Sequence, residues 1–288
     1  TRTVRGMRRD LDWDCRYVDA PDGCFDMEQL AEQLQDGPTS LISVMRVQNE
    51  TGWIFPVPEI AQLRDELAPG VPLHCDATQA FCKMPVNPRE WGVQLLTAGA
   101  HKIGGPRGIG ILYVQRGLPM HTTAFGGNQE RGLRSGTEPV FLAVGMAEAV
   151  RITAAHMETD MEYAASLRER AIEGLKREIP DAVVHAPEGG SPYILSVSVP
   201  GLPNAVSVKY LSGRRVCVSR ASACEENHTT VAPGTWRPKH PLSLQAAGIP
   251  LREGKETLRV SFFHRNTPED VDRFVAVLTQ CAREMRES

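Results

Sequence analysis

Lys102 stands where an amine is expensive. The apolar run GVQLLTAG (92–99) leads into Ala100, His101 and Lys102, and a glycine-dense turn, GGPRGIG (104–110), follows. A charged amine at the end of a buried strand costs free energy unless it is paired or neutralised. A lysine whose pKa is lowered by desolvation or by neighbouring positive charge becomes nucleophilic and forms a Schiff base with an aldehyde. The plain alternative is a lysine that snorkels from the turn into water. The glycines do not settle the matter, because the turn is neither GxGxxG nor a loop ending in GK[ST].

Three other stretches carry usable chemistry. HCDATQAF (74–81) places Asp76 at a strand end with Gln79 three residues on. A carboxylate there can hold a pyridinium nitrogen protonated, which tunes pyridoxal phosphate as an electron sink. It can equally cap a helix, with Gln79 in the capping-box position. NQERGLRSGT (128–137) offers Arg131, Arg134, Ser135 and Thr137 to an anion, or is a solvated charged loop. SRASACEEN (219–227) sets Cys224 among small residues before a polar loop, as a reactive thiol or an inert one. Cys75, Cys82, Cys217 and Cys281 lie in apolar periodic runs and read as buried, inert thiols.

The elements that must position these residues alternate along the first half. SLISVMRVQ (40–48), VPLHCDA (71–77), VQLLTAGA (93–100) and GIGILYVQ (108–115) read as strands, and PEIAQLRDEL (58–67) as a helix. Strands joined by helical crossovers predict a parallel or mixed α/β sheet, in which ligands bind beyond the carboxyl ends of the strands. Residues 138–178 read as two helices or one broken connector. Beyond them AVVHAP, YILSVSVP, RVCVSR and TLRVSFF read as strands, and PNAVSVKYLSG and PEDVDRFVAVLTQCAREM as helices, of a smaller α+β unit. A further strand is expected at 13–18. The expected division is a large domain over 1–157 and a small one over 158–288.

Bulk composition excludes some classes. With 288 residues, a formal net charge of −3, 41% hydrophobic and 23% charged residues, the chain has no general electrostatic pull toward nucleic acid or an anionic membrane. No apolar run reaches the length of a membrane span. The seven cysteines are scattered, with no CxxC pair, so neither a zinc knuckle nor a disulfide framework is expected. A cytoplasmic setting follows as the expectation.

Six stretches together resemble one family. QNETG (48–52), HCDATQ (74–79), AHKIGGPRGIG (100–110), GGNQERGLRSGT (126–137), SRASAC (219–224) and TLRVSF (257–262), in this order, are similar to the landmarks of the class V, fold-type I pyridoxal-phosphate enzymes, specifically the cysteine desulfurases of the NifS/IscS type. The resemblance implies a mostly parallel sheet sandwiched by helices with a smaller C-terminal α+β domain. It implies pyridoxal 5'-phosphate held by Asp76 at the pyridine nitrogen, Gln79 at the phenolic oxygen, His101 at the phosphate and Lys102 by its amine. Thr137 would reach the phosphate of a neighbouring subunit, which implies a homodimer. Asn49 and Arg259 would hold the carboxylate of L-cysteine, and Cys224 would take its sulfur as a persulfide. The products would be L-alanine and sulfur for an acceptor protein, as in iron–sulfur cluster assembly. The competing readings are a selenocysteine or cysteine lyase of the same class, and a non-catalytic homologue acting as a scaffold.

The pattern also departs from the family. Gly99 stands where a serine is usual, Gly104 where a tyrosine follows HKI, and Asn128 where a third glycine precedes QERG. RASACEE replaces SGSACTS. The family's N-terminal part, with its glycine-rich phosphate loop and the histidine that stacks on the cofactor ring, aligns ahead of Thr1.

Overall fold

The structure, a computed structural model, describes residues 2–122, 124–185, 189–220 and 242–287. After the helix α1 (Arg2–Leu11), residues 13–18 form no strand, against expectation. The backbone bonds that a neighbouring strand would supply come from side chains of α2 (Met27–Gln35). Gln29 accepts from the Asp19 amide at 2.6 Å and Gln33 donates to the Tyr17 carbonyl at 2.7 Å.

The buried runs of the first half pair as a four-stranded sheet. The strands β1 (Ile42–Met45), β2 (Leu73–Asp76) and β3 (Leu95–Gly99) are parallel neighbours, and β4 (Gly110–Val114) returns antiparallel beside β3. The helix α3 (Val57–Leu67) makes the crossover from β1 to β2 and buries Val57, Ile60 and Ala61. Met45 pairs with Asp76 and Asp76 with Thr97, so β1 and β2 end at one level and β3 runs two residues past it to Gly99. That level is the crevice where open α/β sheets take ligands.

Residues 140–178 resolve as two helices, α4 (Val140–Ala155) and α5 (Met157–Glu178), bent by 70° at His156. A second, antiparallel sheet follows: β5 (Val183–Val184), β6 (Ile194–Ser198) and β7 (Thr257–Ser261), in that order. It is accompanied by α6 (Asn204–Gly213), α7 (Leu242–Ala246), α8 (Leu251–Gly254) and α9 (Pro268–Arg286). Thr267 opens α9 with a capping box to Asp270. Along α9, Val271, Phe274, Val275, Leu278 and Ala282 recur at helical spacing and form its buried stripe. The two sheets share a continuous core: a Cβ on Gly52 would lie 3.0 Å from the Ile194 carbonyl, and the Ser191 amide bonds the Gly52 carbonyl at 2.7 Å.

RVCVSR forms no full strand. Its pairing is an isolated bridge between Ser219 and Arg259, after the left-handed Arg215 turns the chain away from α6. Lying at the sheet edge with one bridge, the segment leaves Cys217 exposed, which corrects the expectation of a buried thiol; Cys75, Cys82 and Cys281 are buried as expected.

Candidate active site at the ends of the parallel strands

Asp76 closes β2. Its Oδ1 accepts from the Thr78 amide at 2.9 Å, and the Ala77 amide bonds the Thr97 carbonyl of β3 at 2.9 Å. A series of turns follows, not a helix, so Asp76 anchors a local turn and caps nothing longer. The Phe81 amide donates to the Ala77 carbonyl and the Lys83 amide to the Ala80 carbonyl, which coils residues 77–84 into successive turns. Gln79 lies half-buried in this turn.

Lys102 sits on the neighbouring strand end. Ala100–Lys102 is one tight turn directly after Gly99, closed by Ile103 and Gly105 amides on the Ala100 carbonyl. Lys102 is half-buried and His101 exposed. A Cβ at Gly99 would meet the His101 ring at 3.0 Å. The glycine that departs from the family pattern therefore lets the imidazole fold back against the strand end. Burial pushes the His101 imidazole below its ordinary pKa, and the charges of Lys102, Arg107 and Lys83 push the same way. A neutral or weakly basic imidazole here sits in a field that attracts an anion.

Beneath this level the sheet carries a cross-strand chain. Ser43 meets His74 Nδ1 at 2.8 Å, and His74 Nε2 meets Thr97 at 3.1 Å. Burial lowers the His74 pKa, opposed by Asp76 two residues on. Burial also raises the Cys75 thiol to about 12, reinforced by Asp76, so Cys75 is an inert thiol.

Asn49 and Arg259 come together, but through the Asn49 backbone. Arg259 Nη1 donates to the Asn49 carbonyl at 3.1 Å and Nη2 to Ser219 Oγ at 3.3 Å. The turn that presents Asn49 is held by Gln48, whose Oε1 accepts from the Glu50 and Thr51 amides at 2.6 Å. Arg259 thus reaches from the small sheet to the end of β1.

Thr137 is exposed, in a loop whose hydrogen bonds run among residues 122–138. Glu130 and Arg131, both at positive φ, strain its turn. Cys224 lies outside the described residues.

Two residues escaped the sequence reading. Lys83 is the lysine of FCKMP, and its Nζ stands 5.3 Å from the centre of the buried Tyr193 ring. Burial, and then the charge of Lys102, push its amine down to about 8. A lysine framed by Phe81, Cys82 and Met84, just after the Asp76 turn, was the available signal. Burial raises the Tyr193 hydroxyl to about 12.

A fold-type I sheet with an amine, a carboxylate and an imidazole on two adjoining strand ends defines a class of protein. The sequence profile described as Aminotransferase class-V matches residues 7–274, and the chain belongs to that family. It is 32% identical over 266 residues to a cysteine desulfurase of Nostoc sp., covering 92% of this chain and 63% of that relative. Among solved structures, a NifS-like protein overlays with a TM-score of 0.83 at 28% identity, covering 97% of this chain and 70% of that one. A structure described as SspA in complex with cysteine overlays with a TM-score of 0.71 at 25% identity, covering 92% and 71%. The chain spans a little under two thirds of the length of these curated cysteine desulfurase relatives.

Proposed function

We propose that this chain forms most of a pyridoxal-phosphate-dependent cysteine desulfurase, converting L-cysteine to L-alanine and an enzyme-bound persulfide. The observation that supports the reading is the placing of Asp76 at the end of β2 and of Lys102 in the turn that follows the adjacent parallel strand β3, with Arg259 reaching the turn after β1. The donor set fits the cofactor: a carboxylate for a pyridinium, an amine for an aldehyde, and an imidazole beside a glycine cradle for a phosphate. Bound there, the cofactor supplies an electron sink for the carbanion left when the substrate Cα loses its proton.

The chain's own residues do the rest. Asp76, fixed by the Thr78 amide, would hold the pyridine nitrogen. Lys102 would hold the cofactor by its amine and would be the base that removes the proton at the substrate Cα. Arg259 presents a planar fork suited to the substrate carboxylate, while its bonds to Asn49 and Ser219 hold that fork in place. The Cys224 thiolate attacks the substrate sulfur. The C–S bond breaks, its electron pair stays with the organic fragment, which is protonated to alanine, and a new S–S bond leaves the sulfur on Cys224 for an acceptor protein.

The natural division lies at the 70° bend before α5, giving 1–157 and 158–288. The protein acts as a homodimer, with Thr137 serving the partner's phosphate site. Phe125 and Phe141, 86% and 78% exposed near Thr137 in sequence, and Val140 and Val144 beside them, support an occupied face there. Among the described residues no single helix is long and apolar enough to cross a membrane, and a cytoplasmic setting suits a thiol-dependent reaction.

The test is turnover of L-cysteine in the presence of pyridoxal phosphate and dithiothreitol. Alanine and sulfide in equal amounts, lost together in Cys224→Ser, support the reading. Sulfide release undiminished in Cys224→Ser would make the chain a lyase, and a chain that takes up no cofactor would make it a scaffold.

A further inference from the structure

We propose that Ser196 is a positioning residue for Arg259: its buried hydroxyl is the acceptor that takes up the guanidinium when a ligand carboxylate draws the fork off the Asn49 carbonyl. The inference rests on the reading of Arg259 given above.

The starting point is an orphan hydroxyl. Ser196, in β6, is 1% exposed, and among the described residues its Oγ has no hydrogen-bond partner. A buried hydroxyl without a partner has given up its bond to water and gained nothing in return. Such groups are rare in folded proteins, and each calls for a cause. Along β6 neither neighbour on the same face supplies a partner. Ser198 Oγ is taken by His185 and Thr257, and Ile194 is apolar and packed against the Gly52 turn.

The register supplies Arg259 instead. Ser196 lies opposite Arg259 in the antiparallel pairing of β6 with β7, so the two side chains leave the same face of the sheet. The Arg259 amide donates to the Ser219 carbonyl at 2.6 Å, and the Ser219 amide donates to the Arg259 carbonyl at 3.1 Å. The Ser196 carbonyl accepts from the His185 amide at 2.8 Å. The backbone groups of Arg259 therefore point away from β6. Ser196 and Arg259 form the kind of cross-strand pair that exchanges no backbone bonds, in which side chains come closest and Cα atoms stand about 4.5 Å apart. One row across the small sheet thus reads Ser196, Arg259, Ser219, an arginine between two hydroxyls. Ser219 Oγ is engaged and Ser196 Oγ is not.

The bonds that hold the fork in the ligand-free chain are long and go to uncharged acceptors: the Asn49 carbonyl at 3.1 Å and Ser219 Oγ at 3.3 Å. A carboxylate accepts from a guanidinium more strongly than either and takes two N–H groups at once. A ligand carboxylate that claims both Nη donors turns the guanidinium, and the hydroxyl on its near flank gains the donor it lacks. The ligand-free chain carries the cost of the orphan, and carboxylate binding relieves it. That relief is the difference between two settings of one side chain that a ligand needs in order to shift it.

The experiment titrates the 288-residue chain, reconstituted with pyridoxal phosphate, with L-alanine and with L-alaninamide, which keeps the amine and lacks the carboxylate. Wild type, Ser196→Ala, Arg259→Ala and the double variant are compared, with thermal melts of the cofactor-free chains; Ser196→Cys replaces Ser196→Ala if that variant does not fold. In Ser196→Ala the L-alanine dissociation constant should rise about tenfold, the value of one hydrogen bond to a charged group. L-alaninamide binding and the melt should stay near wild type. In the Arg259→Ala background, Ser196→Ala should change nothing further. Unchanged L-alanine binding in Ser196→Ala overturns the inference. So does equal weakening of both ligands, which marks a structural role. So does a further loss in the Arg259→Ala background, which makes the hydroxyl independent of Arg259. Each of these outcomes leaves the Arg259 reading standing. If Arg259→Ala binds L-alanine as tightly as wild type, that reading itself fails and this inference falls with it.

Discussion

Two places in the molecule bury titratable groups, and they do so in opposite ways. In the small sheet, His185 meets Ser198 Oγ at 2.7 Å and Glu253 at 3.2 Å. Ser198 meets Thr257 Oγ1 at 2.8 Å, and Thr257 donates to the Glu253 carbonyl at 2.8 Å. His185, Ser198 and Thr257 each have a side-chain or carbonyl partner from the chain itself. At the ends of the parallel strands, Lys83, His101, Lys102 and Arg107 push on one another electrostatically. Burial alone therefore does not mark function. A satisfied network specifies a fold, whereas a concentration of like charge awaits an anion or a reaction.

If that contrast is right, substitutions in the closed region cost stability and those in the open region cost ligands. The largest effect should come from Leu258→Ala, a fully buried β7 side chain, which should cost about 2–5 kcal/mol in chemical denaturation. A loss under about 1 kcal/mol would show that the small sheet is not the structural half.

Arg259→Ala sharpens the comparison, because this residue belongs to β7 yet reaches the open region. It should weaken L-cysteine at least tenfold, about 1.4 kcal/mol or more, while pyridoxal phosphate uptake stays near normal. Titration of the reconstituted chain with cysteine measures this, and unchanged affinity would remove Arg259 from the substrate site.

Asp76→Asn should lower pyridoxal phosphate affinity by the value of one charge-assisted hydrogen bond, about 1.5–3 kcal/mol. The melt of the cofactor-free chain should move little. A collapse of that melt instead would make Asp76 an architectural residue of its turn.

The smallest effect is a slope. Burial holds His185 below its ordinary pKa in the fold. The unfolded chain therefore takes up the proton first, and stability falls as pH drops below the ordinary histidine value of about 6.5. His74 adds to the same slope. His185→Gln should flatten the loss between pH 7.5 and 5.5 without altering cofactor uptake. An unchanged slope would mean that His185 charges as readily folded as unfolded.

The sequence made the open region legible because its residues sit at the ends of short, strongly apolar strands. Asp76 and Lys102 could be placed from the runs that precede them. Periodicity failed where pairing depends on distant partners. Residues 13–18 alternate well enough for a strand but meet glutamine side chains of α2 instead of a neighbouring backbone. RVCVSR has the branched residues of a strand, and one bridge at the sheet edge is all it forms. Lys83 was half legible, for a different reason. The apolar frame FCKMP signals its burial, but its partner Tyr193 lies over a hundred positions away, which no local pattern encodes. Asn49 and Arg259, read from the sequence as one substrate site, are joined in the fold by the Asn49 carbonyl.

The central claim is that Lys102 is the amine through which this chain holds pyridoxal phosphate. Borohydride reduction of the reconstituted wild-type chain, followed by peptide mapping, tests it most directly. The account predicts one stoichiometric label, on Lys102, absent from Lys102→Ala. A label on Lys83 or any other lysine, or the same label in Lys102→Ala, would contradict it.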